Sequence, residues 1–504
     1  MSATECFESI KLRLGSVDNR YIEAFSICLV PEQLRKRRVE AYGPQVVSIG
    51  PLHKGTNTDL LGMEEIKWRC MLHLLQRSKG SDSAAINQVL LECTKAMLKL
   101  DEVVRASYNV DEVRFNRNDL AKIMLVDGCF LLELLICGSP HLDARLPAGP
   151  GLSPGTEVIK REKVLSDLTL LENQIPLGVL NCLSKVLFPQ IKDHEVFQLI
   201  RTLALSIMGY DCASLGSVDI GGFHFVELVH SLVGIEKFAI ENKKNDCEVD
   251  IDSKEDLKIS HPKQRLQRCA TKLEAAGVTI AIQSTPAKST RFDLKVTFEN
   301  GKLTIPQLHI TQTTEAKWRN LIAWELNKSS IQKHRGIKQE GFSALFISYA
   351  CFLRSLICCV HDVKLLRKRG VIFVHQMDTD KGKKNKIRNE DLVYLFQNLT
   401  RGVPGGEIDM DSWFASVIQK LNSYPTTQDR AICNIIYHAT RTSKTMWHIF
   451  ISYPESFWYF LKAGFLKVKS FFSTNWELRQ VGTIIAIVAL ILTLAQTVFS
   501  VPGL

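Results

Sequence analysis

The run VGTIIAIVALILTLAQTVFSV, from Val481 to Val501, holds 21 residues without a single charge. At about 1.5 Å per residue a helix of that length spans roughly 31 Å, close to a hydrocarbon core of about 30 Å. Its polar members are Thr483, Thr493, Gln496, Thr497 and Ser500. Serine and threonine can return a hydrogen bond to their own helix backbone and are tolerated in lipid. A core helix of this length would keep a polar face, which this run lacks. The sequence therefore predicts one transmembrane helix over 481–501, with the rest of the chain folding as a body outside the bilayer. Lys462, Lys467, Lys469 and Arg479 precede the span, and only an uncharged Pro-Gly-Leu follows it. The positive-inside rule then sets the body on the cytoplasmic side, as a tail anchor would, with Trp476 at the headgroup level. The aromatic and lysine-rich stretch 447–472 fits either a helix lying on the membrane surface or packing against the body.

The body has ordinary globular composition, 45% hydrophobic and 23% charged. That balance excludes a disordered chain and a protein with many membrane spans. The net charge of +10 is dispersed, which argues against a nucleic-acid partner and fits an anionic membrane surface or an acidic partner. The densest basic run, KGKKNKIR at 381–388, reads as a solvated loop within about 375–390. The 14 cysteines show no repeating spacing, and Cys129, Cys137, Cys351, Cys358 and Cys359 lie in apolar stretches. Such thiols behave as small buried hydrophobes in a reducing compartment. Residues 1–26 carry Glu5, Glu8, Lys11, Arg13, Asp18, Arg20 and Glu23 and read as a variable segment rather than a signal peptide.

Along the body, YGPQVVSIGPLHKG (42–55) is broken by Pro44, Gly50, Pro51 and Gly55 and predicts an extended segment bounded by turns. Met63, Ile66, Cys70, Met71, Leu74 and Leu75 share one face of a following helix. AKIMLVDGCFLLELLIC (121–137) is apolar but holds Lys122, Asp127 and Glu133, so it reads as a central core helix rather than a lipid-spanning one. Residues 139–157 read as a Pro/Gly-rich loop. A second core helix is expected over 164–188, kinked or broken near Gln174 by Pro176. Residues 241–265 are strongly polar and read as an insertion or linker. A short helix ends at Gly277, and 278–310 is β-rich, with Asn300-Gly301 marking a hairpin. Helical patterns return over 318–326 and 345–366. The expected fold is mainly α, a multi-helix globular domain over 27–470 with a small β-hairpin or sheet element, plus the C-terminal transmembrane helix.

Several ordered blocks carry a family resemblance. They are Val30-Pro31, VSIGPLHKG ending at Gly55, Met63-Glu64 with Lys67, VDGCFLLE (126–133), Asp167, and LLENQIP (170–176). ATKLEAAGV (270–278), GKLTIPQLHI (301–310), RNLIAWE (319–325) and HDVKLLRKRGVI (361–372) complete the series. Together they make the chain resemble the plant domain of unknown function 247 family from about Cys28 to Ser500. The chain departs from the family pattern at His53-Lys54, where paired histidines are frequent, and in the basic stretch after Val371. The resemblance implies a plant protein with a C-terminal hydrophobic segment and no established catalytic activity. Some relatives are linked to pollen–pistil recognition in grass self-incompatibility, which implies recognition or signalling.

The strongest candidate constellation is Asp127, Glu133, Asp167, Glu172 and Asn173. Carboxylates inside apolar helices are costly unless paired or hydrogen-bonded. We read them as a structural polar network that caps the break at Pro176; the alternative is an acid–base pair in a membrane-associated, hydrolase-like enzyme. Cys358, Cys359 and His361 resemble a metal cluster only superficially, because no second ligand pair is evident in the sequence. His224 and His230 read as satisfied core or surface residues. No phosphate loop, dinucleotide fingerprint or nucleophile elbow occurs, and no cofactor is expected. Asn327-Lys-Ser and Asn398-Leu-Thr match the glycosylation sequon. The function expected is a membrane-anchored, protein-binding recognition or signalling protein. Its partners would be the bilayer, contacted through Lys462, Lys467, Lys469, Trp476 and Arg479, and another protein.

Overall fold

The longest apolar helix of the body, Arg117–Cys137, is buried on nearly every side, and the first half of the fold is organised around it. The computed structural model describes residues 27–108, 113–207, 224–231, 265–283, 294–334, 344–375, 377–378, 384–385, 387–403 and 412–424, all within one compact unit. The expected transmembrane span at 481–501, the basic and aromatic residues before it, residues 1–26 and most of the polar stretch 241–265 lie outside them. Among the described residues no single helix is long and apolar enough to cross a membrane.

The first half comprises α1 (Leu61–Lys79), α2 (Ser83–Lys99), α3 (Asp101–Ser107), α4 (Arg117–Cys137), α5 (Glu162–Asp167), α6 (Leu177–Leu187) and α7 (Asp193–Ile207). Helices α1, α2 and α6 pack around α4. Side-chain caps specify the starts of two of them: Asp82 accepts from the Ala84 and Ala85 amides at α2, and Asn116 accepts from the Asp119 amide at α4. Helix α6 approaches α4 closely at Gly128, where a Cβ would stand 2.5 Å from the Leu183 side chain. The loop 139–157 contains two single helical turns, Pro140–Asp143 and Gly155–Val158, which the Pro/Gly content did not suggest.

The second half carries α8 (Ala270–Ala275), β1 (Thr279–Ile282), β2 (Thr297–Glu299), β3 (Lys302–Ile305), β4 (Leu308–Ile310), α9 (Thr314–His334), α10 (Leu345–Leu356), α11 (Val360–Lys368), β5 (Ile372–Val374), β6 (Met377–Asp378), β7 (Lys384–Asn385), α12 (Asn389–Asn398) and α13 (Ser412–Asn422). Strand β3 is central, parallel to β1 and antiparallel to β2. The expected hairpin is present: Asn300 and Gly301 turn it with φ of 49° and 75°, the double left-handed conformation that Asn-Gly favours. Pro306 lies between β3 and β4, and β4 pairs in parallel with β5 to form a separate two-stranded sheet. Helix α9 joins the halves, because Asn320 accepts from the Leu171 amide and donates to the Ala41 carbonyl.

Two expected helices are each divided. The helix expected over 164–188 is α5 and α6, separated by a non-helical segment from Leu168 to Pro176. Proline accounts for the restart at Leu177. The length of the gap comes from side chains. Asn173 Nδ2 donates to the Asp167 carbonyl, and Gln174 Nε2 donates to the Leu168 and Leu170 carbonyls, so these acceptors bond side chains, with i+3 amides also on Asp167 and Leu170, rather than carrying an α-helical ladder on. The helix expected over 345–366 is α10 and α11, bent by 108°. Asp362 accepts from the amides of Cys358 and Cys359 and caps α11, which starts the second helix in a new direction. The fold is mostly helical with a small mixed sheet.

Candidate functional site

Residues Gln45 to Gly50 run without a β partner through the interior of the first half, with Val47, Ser48 and Ile49 buried. A buried strand of this kind must find partners for its backbone donors. Five amides are taken by three side chains. Asp167 accepts from Gln45 at 3.1 Å, Val46 at 2.8 Å and Val47 at 2.9 Å. Asn173 Oδ1 accepts from Ile49 at 2.7 Å, and its Nδ2 donates to the Val47 carbonyl at 3.0 Å. Asp127 Oδ2 accepts from Gly50 at 2.9 Å. Gly50 has φ of +77°, and a Cβ there would lie 2.2 Å from the Gln174 carbonyl oxygen, so only glycine fits between these elements. That carbonyl also accepts from the Tyr108 hydroxyl at 2.6 Å.

Charge is balanced inside the same cluster. Lys67 is fully buried, and its Nζ donates to Asp127 Oδ1 and Glu64 Oε1, both at 2.7 Å, and to the Ser48 carbonyl. Burial pulls the Lys67 pKa down, but Asp127 and Glu64 outweigh it and hold the ammonium above its usual range. The reverse contest holds Glu172 below the usual carboxylate range: burial raises it, and His53, the Val30 amide and Arg35 together prevail. Glu172 accepts from Val30 at 2.6 Å and from the Arg35 guanidinium, with His53 Nε2 at 3.3 Å. For Asp167 burial wins over its three backbone donors, and the pKa is raised.

Of the five residues expected in one network, Asp127, Asp167, Glu172 and Asn173 converge on this strap and its flanks. Glu133 does not. It points from α4 toward a different neighbourhood, where His73 Nδ1 lies 2.9 Å away, off hydrogen-bond alignment, and Ser153 donates to it. The physical reason is helical rotation: six residues along α4 turn a side chain well away from Asp127. Lys67 was not singled out as a site residue. Its signal was present, since it stands four positions after Met63 and three before Cys70, on the apolar face itself. His230 and Glu325 form a second buried pair at 2.7 Å, and Glu325 also accepts from the Phe346 and Ile347 amides at the start of α10.

The arrangement holds a backbone segment of its own chain. Asn173 and Gln174 border a small, mostly apolar cavity of about 30 Å³. A larger cavity of about 290 Å³ between β4, the start of α9 and α12 holds none of the five predicted residues. Cys358 and Cys359 stand in the elbow between α10 and α11 rather than on a helix, as the sequence had suggested. Among the described residues, Cys269, Cys358 and Asp362 bring three potential metal-ligating atoms together. The basic and aromatic residues Lys462, Lys467, Lys469, Trp476 and Arg479 lie outside the described residues.

The family comparison covers most of the chain. The profile of DUF247, described as a plant protein of unknown function, matches residues 27–492. UPF0481 protein At3g47200 of Arabidopsis thaliana is 34% identical over 161 residues, which are 32% of this chain and 31% of the relative. The putative UPF0481 protein At3g02645, also of Arabidopsis thaliana, is 30% identical over 195 residues, 39% of this chain and 32% of the relative. The chain thus aligns with about a third of each relative's length. No solved structure matches it. The match over 27–492 takes in the 45–50 strap, the clamp of Asp127, Asp167 and Asn173 that holds it, with Lys67 and Glu172 beside them, and the helices around them, and it shows that the chain belongs to the plant family DUF247.

Proposed function

We propose that this protein is a non-enzymatic, membrane-tethered module that binds other proteins in plant recognition or signalling. The observation that carries this reading is the occupation of the clamp. The carboxylates best placed for acid–base chemistry spend their lone pairs on the amides of Gln45, Val46, Val47, Gly50 and Val30 and on Lys67 and Arg35. A general base must reach a proton on the substrate. These groups face their own chain, which weighs against the alternative of a hydrolase-like enzyme built on them.

Helix α1 meanwhile presents Leu61, Trp68 and Leu72 to solvent at 59%, 44% and 50% exposure, seven and then four residues apart and so on one face. Lys122 of α4 stands over the Trp68 ring at 5.5 Å. Tryptophan is among the residue types in which hot spots of protein interfaces are enriched, and Trp68 is the exposed aromatic of this face. Tethering rests on the uncharged run 481–501 and its lysine-rich approach. It would place the body on the cytoplasmic face.

The test is proximity labelling by the full chain in plant membranes, beside a Trp68→Ala/Leu72→Ala variant and a chain truncated at residue 480. The reading expects a specific set of labelled proteins, diminished in the double variant, and release of the truncated chain from the membrane fraction. An unaltered label set, or none that is specific, would overturn the binding role. Retention of the truncated chain on membranes would overturn the tether.

A further inference from the structure

Thiols from two distant stretches of the sequence, Cys269 and the adjacent pair Cys358 and Cys359, meet around one carboxylate. Cys269 is the residue before α8, Cys358 and Cys359 fill the elbow between α10 and α11, and the wholly buried Asp362 stands at their centre. Asp362 Oδ1 accepts from the Thr271 amide at 2.9 Å and hydroxyl at 2.8 Å, across 91 positions of sequence. Its Oδ2 accepts from the amides of Cys358 at 2.9 Å and Cys359 at 3.0 Å, and Cys359 Sγ lies 3.4 Å from it. The ligating atoms of Cys269, Cys358 and Asp362 all fall within 4.8 Å of one another. Cys269 and Asp362 are buried, while Cys358 is exposed, so an ion can enter from solvent at Cys358.

We propose that Cys269, Cys358 and Asp362 form a three-donor binding site for a zinc-class divalent ion, with water entering beside the exposed Cys358 as the fourth ligand. Tetrahedral zinc with Zn–S bonds of about 2.3 Å places its donors just under about 4 Å apart, so donors within 4.8 Å need only a small contraction. Thiolates select this class of ion over magnesium or calcium, which prefer all-oxygen sites. Each thiol that ligates gives up its proton to solvent, so loading releases protons and involves no change of oxidation state. The Asp362 bonds to Thr271, Cys358 and Cys359 already hold α8 against the elbow, and an ion that Asp362 ligates takes the place of one of these four donors on the carboxylate. An ion there would staple the two strand-flanking helices α8 and α11 together, a structural rather than catalytic placement.

The test uses the full chain, reduced, stripped with a chelator and held in detergent. Cobalt(II) is titrated in and sulfur-to-cobalt charge transfer is followed in the near ultraviolet. The proposal expects about one equivalent of cobalt per chain, displaced by zinc, and a melting temperature that rises with zinc, since a ligand bound only to the folded state stabilises it. Cys358→Ser and Cys269→Ser should each weaken cobalt binding by more than about tenfold, the loss that even supporting residues of metal sites produce. Cys358 is exposed, so its variant is expected to keep the wild-type circular dichroism and can decide the matter if Cys269→Ser fails to fold. A wild-type chain with no charge-transfer band would overturn the site. So would unchanged affinity in Cys358→Ser, which would assign the metal to others of the 14 cysteines.

Discussion

The two halves of the fold use buried carboxylates in different ways. In the first half, Asp127 and Asp167 hold a strap that has no strand beside it, over sequence separations of 77 to 122 residues. In the second half, Glu325 accepts from the Phe346 and Ile347 amides in the first turn of α10, and Asp362, inside the first turn of α11, accepts from the Cys358 and Cys359 amides just before it, as the acidic member of a capping box does. The first arrangement substitutes for a missing sheet edge. The second sets the direction of helices. The difference teaches where the fold is cooperative: losing a cap frays one helix end, whereas losing the clamp releases a segment on which α1, α4 and the 168–176 segment all converge.

Substitutions can break that comparison in a graded way. The largest effect is expected at Lys67. Lys67→Met leaves Asp127 buried without its counter-charge and should cost about 3–5 kcal/mol, read from denaturant unfolding of the full chain in detergent. Adding Asp127→Leu to that variant should recover part of the loss, because a buried ion pair is often replaceable by apolar groups even when neither partner can be removed alone. Recovery would be incomplete, since the Gly50 amide loses its acceptor.

Next comes Gly128→Ala. The added methyl would meet Leu183 at 2.5 Å and Val179 at 3.1 Å, and separating α4 from α6 should cost about 1–3 kcal/mol. Glu325→Gln should cost less, about 0.5–2 kcal/mol, within the range of a lost helix cap. If Glu325→Gln proved as damaging as Lys67→Met, the distinction between clamp and cap would fail.

The smallest effect is on pH dependence. The folded Glu172 carboxyl titrates below its unfolded counterpart. As pH falls, the unfolded chain therefore takes up the proton first. The contribution of Glu172 is complete above the unfolded value of about 4.3 and is lost as pH drops through the lower folded value. Glu172→Gln should flatten the acid limb of the stability profile without steepening it near neutrality. A steeper acid limb in the variant would contradict the sign.

Much of this architecture was legible in the sequence because local signals agree with the fold. Helix α4 was readable as a core helix from three charges inside an apolar run, and Asn300-Gly301 announced its hairpin. The Pro176 break was readable in position but not in extent, because Asn173 and Gln174 lengthen it by capturing carbonyls with their side chains. The bend at Cys358 was hidden, since apolar periodicity runs on through it and the cause is Asp362 further along. The pairing of β4 with β5 was also hidden: three-residue strands joined in parallel across more than sixty positions leave no local trace. Within the site, the carboxylates were visible as costly residues in apolar surroundings, but their partners are backbone amides and a lysine, which sequence spacing does not reveal.

The central claim is that the carboxylates and Asn173 hold the 45–50 strap as part of the scaffold. Amide hydrogen exchange on the full chain in detergent tests it most directly. The amides of Val46, Val47, Ile49 and Gly50 should exchange as slowly as the core of α4, and Asp167→Asn should speed Val46 and Val47 far more than the α4 amides. Fast exchange of these strap amides in the unaltered protein, with α4 protected, would contradict the account.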